Sequence, residues 1–596
     1  MRRIFLFLFC CACAISAQDG AGIYRARCAA CHDKPAGRVP TLSALQAMTP
    51  AAIVNTLERG SMKTQAAGLT EAERTAVADY LGHAGPKPES PRANACPAGE
   101  TNRALKNTRF AWTNWGVNSE NTRFQTLEGA GLNVAGIPKL KLKWAFSLGK
   151  GMAPRSQPAI AFGRVFVGGE RDLYALDAQS GCTEWVFHPD EPVRSGISVS
   201  IDQQAVFFGS HASVYAVNAG TGKLLWKKQA DTHPAAIITA TPAIHAGVLY
   251  VGVSSFEEVL AASPQYVCCT FRGSVVALNA ATGDQLWKTY TTAEPAPGKH
   301  NASGAAVWST PTFDEKRNVL YVSTGDNYSD PATKTSDAIL ALDAKTGKLL
   351  WTQQATPGDI YNIGCDTGVK SNCPASHGRD FDFGQPPMLV SLGNGKRALV
   401  IGQKSGIVYA FDPDAGGTPI WSRRIGQGGA LGGIQWGSAA EAGRVFVALS
   451  DVRLGTASDK SSPQGFRLVL DPAKGGGLFA LDAATGEVAW SAKPSSCEGR
   501  KLCSPAQSAP VTAIPGAVLS GSVDGHLRAY SAETGAILWD VNTVRKYDAV
   551  NGGKAQGGSL DVTGPVAAGG MIYVTSGYGT WGGTPGDALL AFGESK

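Results

Sequence analysis

The sequence predicts an all-β propeller of eight four-stranded blades, preceded by a small all-α domain. Three observations predict it. From residue 105 onward, an alternating strand, a Thr-Gly turn and a tryptophan recur seven times. An eighth copy is divided between the two ends of that region. Ahead of the repeat, a Cys-x-x-Cys-His motif lies among segments with helical rather than strand periodicity.

Composition agrees with a large β structure. Of 596 residues, 72 are Gly and 43% are hydrophobic, which allows many turns around a substantial core. The formal charge of +6 is spread without a basic run, so nucleic acid is excluded as a partner. Residues 1–17 read as a cleaved secretory signal. Arg2 and Arg3 precede the apolar stretch Ile4 to Phe9, and the small residues Ala12, Ala14, Ser16 and Ala17 follow. The stretch is too short to span a bilayer, and export to the periplasm is expected. A lipidated cysteine among Cys10, Cys11 and Cys13 is the alternative for this segment. Eight further cysteines lie outside the signal and the Cys-x-x-Cys-His motif, an even number suited to disulfides in an exported chain. Cys365 with Cys373 and Cys497 with Cys503 would close short loops, and Cys96 with Cys182 follows by elimination.

Residues 18–84 make the all-α module. Cys28-Ala29-Ala30-Cys31-His32 is a c-type haem attachment sequence, with two thiols for the vinyl groups and His32 as an iron ligand. A helix is expected over Ala21 to Ala30, a second over Leu42 to Leu57, and a third over Leu69 to Leu81. The last opens on Thr70-Glu71-Ala72-Glu73, a capping box. Between the last two lies Gly60-Ser61-Met62-Lys63. Met62 is the expected second axial ligand, since a thioether there raises the iron's potential, and Met48 is the other candidate. The module resembles a small class I cytochrome c. Residues 85–104 begin with Gly85-Pro86-Lys87-Pro88 and have linker composition.

In the repeat each unit runs from an alanine to a tryptophan ten residues later: Ala175 to Trp185, Ala216 to Trp226, Ala277 to Trp287, Ala341 to Trp351, Ala480 to Trp490 and Ala529 to Trp539. The copy from Ala410 to Trp421 is one residue longer. Each reads as a hairpin whose tryptophan lies on the outermost strand and packs on the next blade. Trp144 precedes all copies, and Ala588-Leu589-Leu590-Ala591-Phe592 ends the chain without its tryptophan. A ring closed by pairing the two ends of residues 105–596 explains both fragments and removes the open sheet edges.

This Ala-Thr-Gly-Trp pattern, over essentially all of residues 105–596, resembles the tryptophan-docking motif of the pyrroloquinoline quinone-dependent quinohaemoprotein alcohol dehydrogenases. The resemblance implies a quinone and a calcium ion on the propeller axis. It assigns Arg194 to a quinone carboxylate, and Thr239 and Ser254 to the quinone. It assigns Glu257, with Glu258 as alternative, to the metal. Trp308 becomes the stacking residue. Asp326, 18 residues on, becomes a second metal ligand where the family carries Asn, and Asn327 could substitute. Lys404 falls where a basic residue bonds the quinone oxygens, and Gly432-Gly433-Ile434-Gln435-Trp436 is a rim element. The catalytic base is expected at Asp337, with Asp330 as alternative. A vicinal Cys268–Cys269 disulfide would resemble the ring that family members hold over the quinone, although here it follows the metal-binding Glu.

The N-terminal cytochrome, Trp112-Thr113-Asn114-Trp115-Gly116 and the Cys-Cys pair before Thr270-Phe271-Arg272-Gly273 resemble the branch of the family that oxidises polyvinyl alcohol. The implied activity is oxidation of alcohols, secondary and polymeric ones among them. Electrons would pass through haem c to a soluble or membrane-bound cytochrome c. The reading from a different class is a non-catalytic propeller scaffold fused to an electron-carrier cytochrome, since propellers of this type also bind proteins.

Overall fold

The computed structural model describes residues 19–33, 45, 50–58, 62–63, 65–82, 94–97, 105, 109–149, 154–169, 171–294, 302–458, 466–493, 497, 499–500 and 503–595. The signal, Met48 and most of the linker lie outside the described residues. Contacts divide the chain into two units, Met1–Ser90 and Pro91–Lys596.

The first unit is helical. Gly20–Arg27 and Ala29–His32 carry the two motif cysteines at their junctions, followed by Pro50–Glu58 and Glu71–Leu81. Of the expected middle helix the structure describes Leu45 and Pro50–Glu58, where Pro50 takes a first-turn position that needs no amide hydrogen. The capping box is formed: Glu73 N donates to Thr70 Oγ1, and Thr70 N donates to Glu73 Oε2 at 2.7 Å. The first and last helices cross closely. A Cβ on Gly20 would lie 2.0 Å from the Ala76 carbonyl oxygen, so only glycine fits there. Tyr24, Ile53, Val77, Ala78 and Leu81 fill the core beneath.

The second unit is an eight-bladed propeller of antiparallel four-stranded sheets. In the repeated hairpins the alanine lies directly opposite the tryptophan, as in Ala216 with Trp226 and Ala480 with Trp490, and a bulge follows at once. The closing blade takes its outer strand, Leu140–Ser147, from the start of the unit. Its other strands, Val566–Ala568, Met571–Ser576 and Ala588–Glu594, come from the end. There Trp144 faces Ala591, so the split eighth copy is rebuilt from both termini.

All the docking tryptophans but Trp539 are gripped by the following blade, Trp351 through its ring contact with Gly417. Nε1 of Trp144, Trp185, Trp226, Trp287, Trp421 and Trp490 donates to the carbonyl of Ala178, Ala219, Ala280, Ala344, Ala483 and Ala532, at 3.0–3.2 Å. The ring lies on the turn glycine of that blade. Gly283, for example, has φ +75°, and a Cβ there would meet the Trp226 ring at 2.8 Å.

A strap, residues 112–125, crosses the axis and pairs with the innermost strands of seven blades. Trp112 exchanges amide bonds with Ile160, and Thr113 O accepts from Val199 N. Ser119 O, Glu120 O, Thr122 O and Arg123 O accept from Phe313, Leu389, Ala440 and Ala513, while Gln125 reaches Ala567 O. Arg123 is fully buried between Trp112 and Trp115, and five acceptors take its protons, among them the carbonyls of Trp115, Val511 and Pro565.

Two glycines with the same backbone separate the tryptophan grip from simple strain. Gly358 has φ +78° and nothing within 4 Å of a Cβ. Gly358→Ala is expected to destabilise the propeller by about 1 kcal/mol, from backbone strain alone. Gly283→Ala adds displacement of Trp226 and is expected to lose about 3 kcal/mol. Denaturant midpoints of the two variants check this, and equal midpoints would remove the grip from the account.

Candidate active site

Two carboxylates pair with one lysine, and a third lies against them. Asp380 and Asp382 come from the segment that enters the strand Met388–Gly393. Alternation along Arg379, Asp380, Phe381 and Asp382 buries the two aspartates and leaves their neighbours partly exposed. Asp326 comes from the turn after Val319–Ser323, and Lys404 from the turn after Lys396–Gly402. Lys404 Nζ donates to Asp380 Oδ1 at 2.5 Å and to Asp382 Oδ2 at 2.9 Å. Asp382 Oδ1 accepts from Asp326 N at 2.7 Å. Oxygens of Asp326, Asp380 and Asp382 all lie within 4.8 Å of one another, and Asp326 Oδ2 is buried with no partner. Asn327 is already engaged, its amide donating to Ser303 O and its carbonyl accepting from Thr333, so Asp326 is the open group of the turn.

The electrostatics follow from burial. Desolvation, then mutual repulsion among the carboxylates, pushes Asp326 well above the usual carboxylate range. Asp380 rises too, although Lys404 opposes it. Burial works against the charge on Lys404, but Asp380 and Asp382 outweigh it and hold its pKa well above the ordinary lysine value. An oxygen-only donor set with an orphaned buried oxygen fits a hard cation.

Glu257 departs from the sequence reading. It is fully buried, and both its oxygens are taken: Oε1 accepts from Tyr266 Oη and Thr270 N at 2.8 Å, and Oε2 from Phe271 N at 2.7 Å. This carboxylate ties down the loop that carries Cys268 and Cys269. Glu258, the alternative, lies in the field of Lys404 and Asp382. Burial pushes its carboxyl up to about 7, with Lys404 pulling down and Asp382 and Asp366 adding to the rise. Residues 257–260 form a helical turn, and its two acidic residues have different surroundings, the 266–271 loop for Glu257 and the field of Lys404 and Asp382 for Glu258.

The remaining residues lie nearby in the axial layer. Arg194 Nη2 donates to Thr239 Oγ1 at 3.4 Å, and Thr239 Oγ1 shares a proton with Ser254 Oγ at 3.0 Å. Arg194 Cζ sits 4.6 Å from the Phe256 ring centroid, and its Nε is buried without a partner. Lys404 Nζ lies 5.4 Å from the centre of the Trp308 ring, and Trp436 meets that ring edge-on at 5.3 Å. Cys268 and Cys269 form a disulfide, and Cys269 packs on the same apolar cluster as Trp308, with Phe271 and Tyr328. The other three disulfides join Cys96 to Cys182, Cys365 to Cys373 and Cys497 to Cys503.

Neither expected base is well placed. Asp337 is 0% exposed, turned inward at φ +46°, and both its oxygens lack partners. Asp330 is exposed in a loop and accepts from Ser376 Oγ. Sequence reasoning missed Asp380 and Asp382, which lie beyond the next docking tryptophan, Trp351. The alternation Asp380-Phe381-Asp382-Phe383 was the available signal. It also missed Asp561, which accepts from Trp436 Nε1 at 2.8 Å and Ser508 Oγ at 2.6 Å, and with them lines a cavity beside Tyr578 and Trp581.

In the helical unit Cys28 and Cys31 are not joined to each other. His32 is buried, and Met62 is half-buried in the turn after Pro50–Glu58.

Known proteins agree with this arrangement. Residues 112–368 match the family model described as "Glucose/ethanol/alcohol dehydrogenase, beta-propeller domain". Residues 16–81 match "Cytochrome C oxidase, cbb3-type, subunit III", and residues 404–543 match "Outer membrane protein assembly factor BamB". The europium-containing methanol dehydrogenase shares the propeller fold, with a TM-score of 0.62 and 17% identity over 82% of this chain and 99% of that one. The quinohaemoprotein alcohol dehydrogenase of Comamonas testosteroni is 23% identical over 72% of this chain and 69% of its own length. Polyvinyl alcohol dehydrogenase from a Pseudomonas species is 39% identical over 98% of this chain and 94% of its own length. That from Sphingopyxis sp. strain 113P3 is 38% identical over 96% and 92%. Identity at this level over nearly the whole of both chains decides the matter: the protein belongs to the polyvinyl alcohol dehydrogenase family, the pyrroloquinoline quinone-dependent alcohol dehydrogenases that carry a cytochrome c domain.

Proposed function

We propose that this chain oxidises secondary alcohols, including the hydroxyls of polymeric chains, in the periplasm, and passes the electrons through its haem c to an external cytochrome c. The observation that carries the reading is the grouping of Asp326, Asp380 and Asp382 beside Lys404, within reach of the Trp308 ring. The signal sequence supports the compartment. An open cleft of about 380 Å³, lined by Tyr361, Arg379, Phe381, Gln427 and Arg453, adjoins the Asp380 segment and supports a bulky substrate.

Pyrroloquinoline quinone, when bound, supplies the two-electron acceptor, and calcium beside it supplies Lewis acidity. Asp326, Asp382 and Glu258 hold the cation in this reading. Trp308 and the Cys268–Cys269 pair, which meet on one apolar cluster through Cys269, would line the quinone's site. Arg194, Thr239 and Ser254 hold its polar edge. Asp380 is the base that takes the hydroxyl proton. Lys404 steadies the carboxylate form of Asp380 and offers its donors to the quinone oxygens. Asp337 stays inside the wall and touches neither substrate nor cofactor. In the helical unit Cys28 and Cys31 supply the thioether sulfurs, and His32 and Met62 the axial ligands.

The decisive measurement is the haem spectrum of protein reconstituted with quinone and Ca²⁺, on adding 2-butanol or polyvinyl alcohol. Reduction of the haem is expected; haem that stays oxidised with every alcohol overturns the reading. Chelation should abolish this reduction, and Ca²⁺ should restore it except in Asp326→Ala. Lanthanum serves as the comparison cation, because the similar methanol dehydrogenase contains europium. Asp380→Asn is expected to lower kcat by about 10²–10⁴-fold at unchanged quinone content. Asp337→Asn should stay within about tenfold of the parent, and the reverse ranking would return the base to Asp337. Met62→Leu should lower the haem midpoint potential in a redox titration, and an unchanged potential would remove Met62 as ligand.

A further inference from the structure

Buried cations in this propeller are matched by carboxylates almost everywhere. Arg164 pairs with Glu184, Arg397 with Asp314 and Asp414, and Arg528 with Asp524 and Asp540. Arg123 has no carboxylate, but five acceptors surround it. Largely buried Arg194 breaks this pattern, and partly exposed Arg155, close enough to act on its charge, has no carboxylate either. Arg194 has one long bond to Thr239 and a buried Nε with no partner. Arg155, just ahead of the first innermost strand, Ala159–Ala161, donates to Thr580 Oγ1 at 3.1 Å, and its Cζ lies 5.4 Å from the Tyr578 ring centroid. Neither touches a carboxylate among the described residues.

The two sense each other. Burial first, and then the Arg155 charge, lower the Arg194 pKa to about 10. Both act on Tyr578, which lines the same cavity as Trp436 and Asp561. A half-buried like-charge pair with unspent donors is unfavourable by itself. Its counter-charge must come from a ligand carrying more than one anionic group. Pyrroloquinoline quinone is a tricarboxylic acid, and guanidinium is the group that best fits a carboxylate.

We propose that Arg155 is a second carboxylate-binding arginine of the quinone site, acting with Arg194 as a two-point clamp across the mouth of the propeller. This rests on the reading that the quinone lies at the axis. The clamp fixes the in-plane rotation of the cofactor, because one arginine leaves the ring free to pivot about a single carboxylate. Arg155 comes from the first blade and Tyr578 from the closing blade, so the contact spans the seam of the ring.

The test uses full-length apoprotein and measures quinone binding by quenching of tryptophan fluorescence, with no turnover involved. Arg155→Gln is expected to bind the quinone at least about tenfold more weakly than the parent, and Arg155→Lys to recover most of that loss. The trimethyl ester of the quinone, which lacks the charges, should bind parent and Arg155→Gln alike. Equal affinity of parent and Arg155→Gln for the free acid overturns the clamp, as does an equal loss of acid and ester, which would mark a structural defect. Parent apoprotein that takes up no quinone overturns the axial site itself.

Discussion

The grip of the docking tryptophans by the next blade is the constraint on which the propeller depends. It has three parts: an indole N–H on an alanine carbonyl, a ring face on a turn glycine, and a cross-strand alanine small enough to seat the ring from behind. None works alone. The glycine is needed because a Cβ would enter the ring, and the alanine because a larger side chain would lift the tryptophan off its blade. Repeated round the ring, these contacts set the angle between blades. That angle in turn sets how closely the innermost strands approach the axis. Asp326, Asp380 and Lys404 meet only because three segments from different turns of the chain are brought to one radius.

The axial site reverses the economy of the rest of the fold. Elsewhere burial removes apolar surface or closes ion pairs. Here it gathers acids around one base and leaves Asp326 Oδ2 and Arg194 Nε without partners. Such groups are tolerated because the surrounding sheets over-determine their positions. In the proposed function these are the groups whose charge a cation or an anionic cofactor would balance.

The repeat was legible because it is local. Alanine, turn and tryptophan lie within one hairpin, so spacing alone gave the blades, and the two incomplete copies gave the closure. What failed depended on backbone direction. Glu257 and Glu258 were weighed as strand neighbours, yet a helical turn carries one into the loop and the other toward Lys404. Asp337 lies just before a strand, yet its positive φ turns it into the wall. Asp380 and Asp382 sit in a short alternating segment after a disulfide-closed loop, where spacing from the preceding motif carries no information.

The strap across the axis bears on how the chain becomes a protein. Arg123 is made early, but its partners stand 388 to 442 residues later, at Val511, Thr512 and Pro565. Until those strands arrive, a cation and two tryptophans have nowhere to go. Blades can form in order as local hairpins, but the hub is not sealed until the last one is in place. Contacts of such long range slow folding and lengthen the exposure of unfinished intermediates. The ends of this unit meet through Trp144 and Ala591 at the rim and through Arg123 at the centre, so both contacts need the last strands in place.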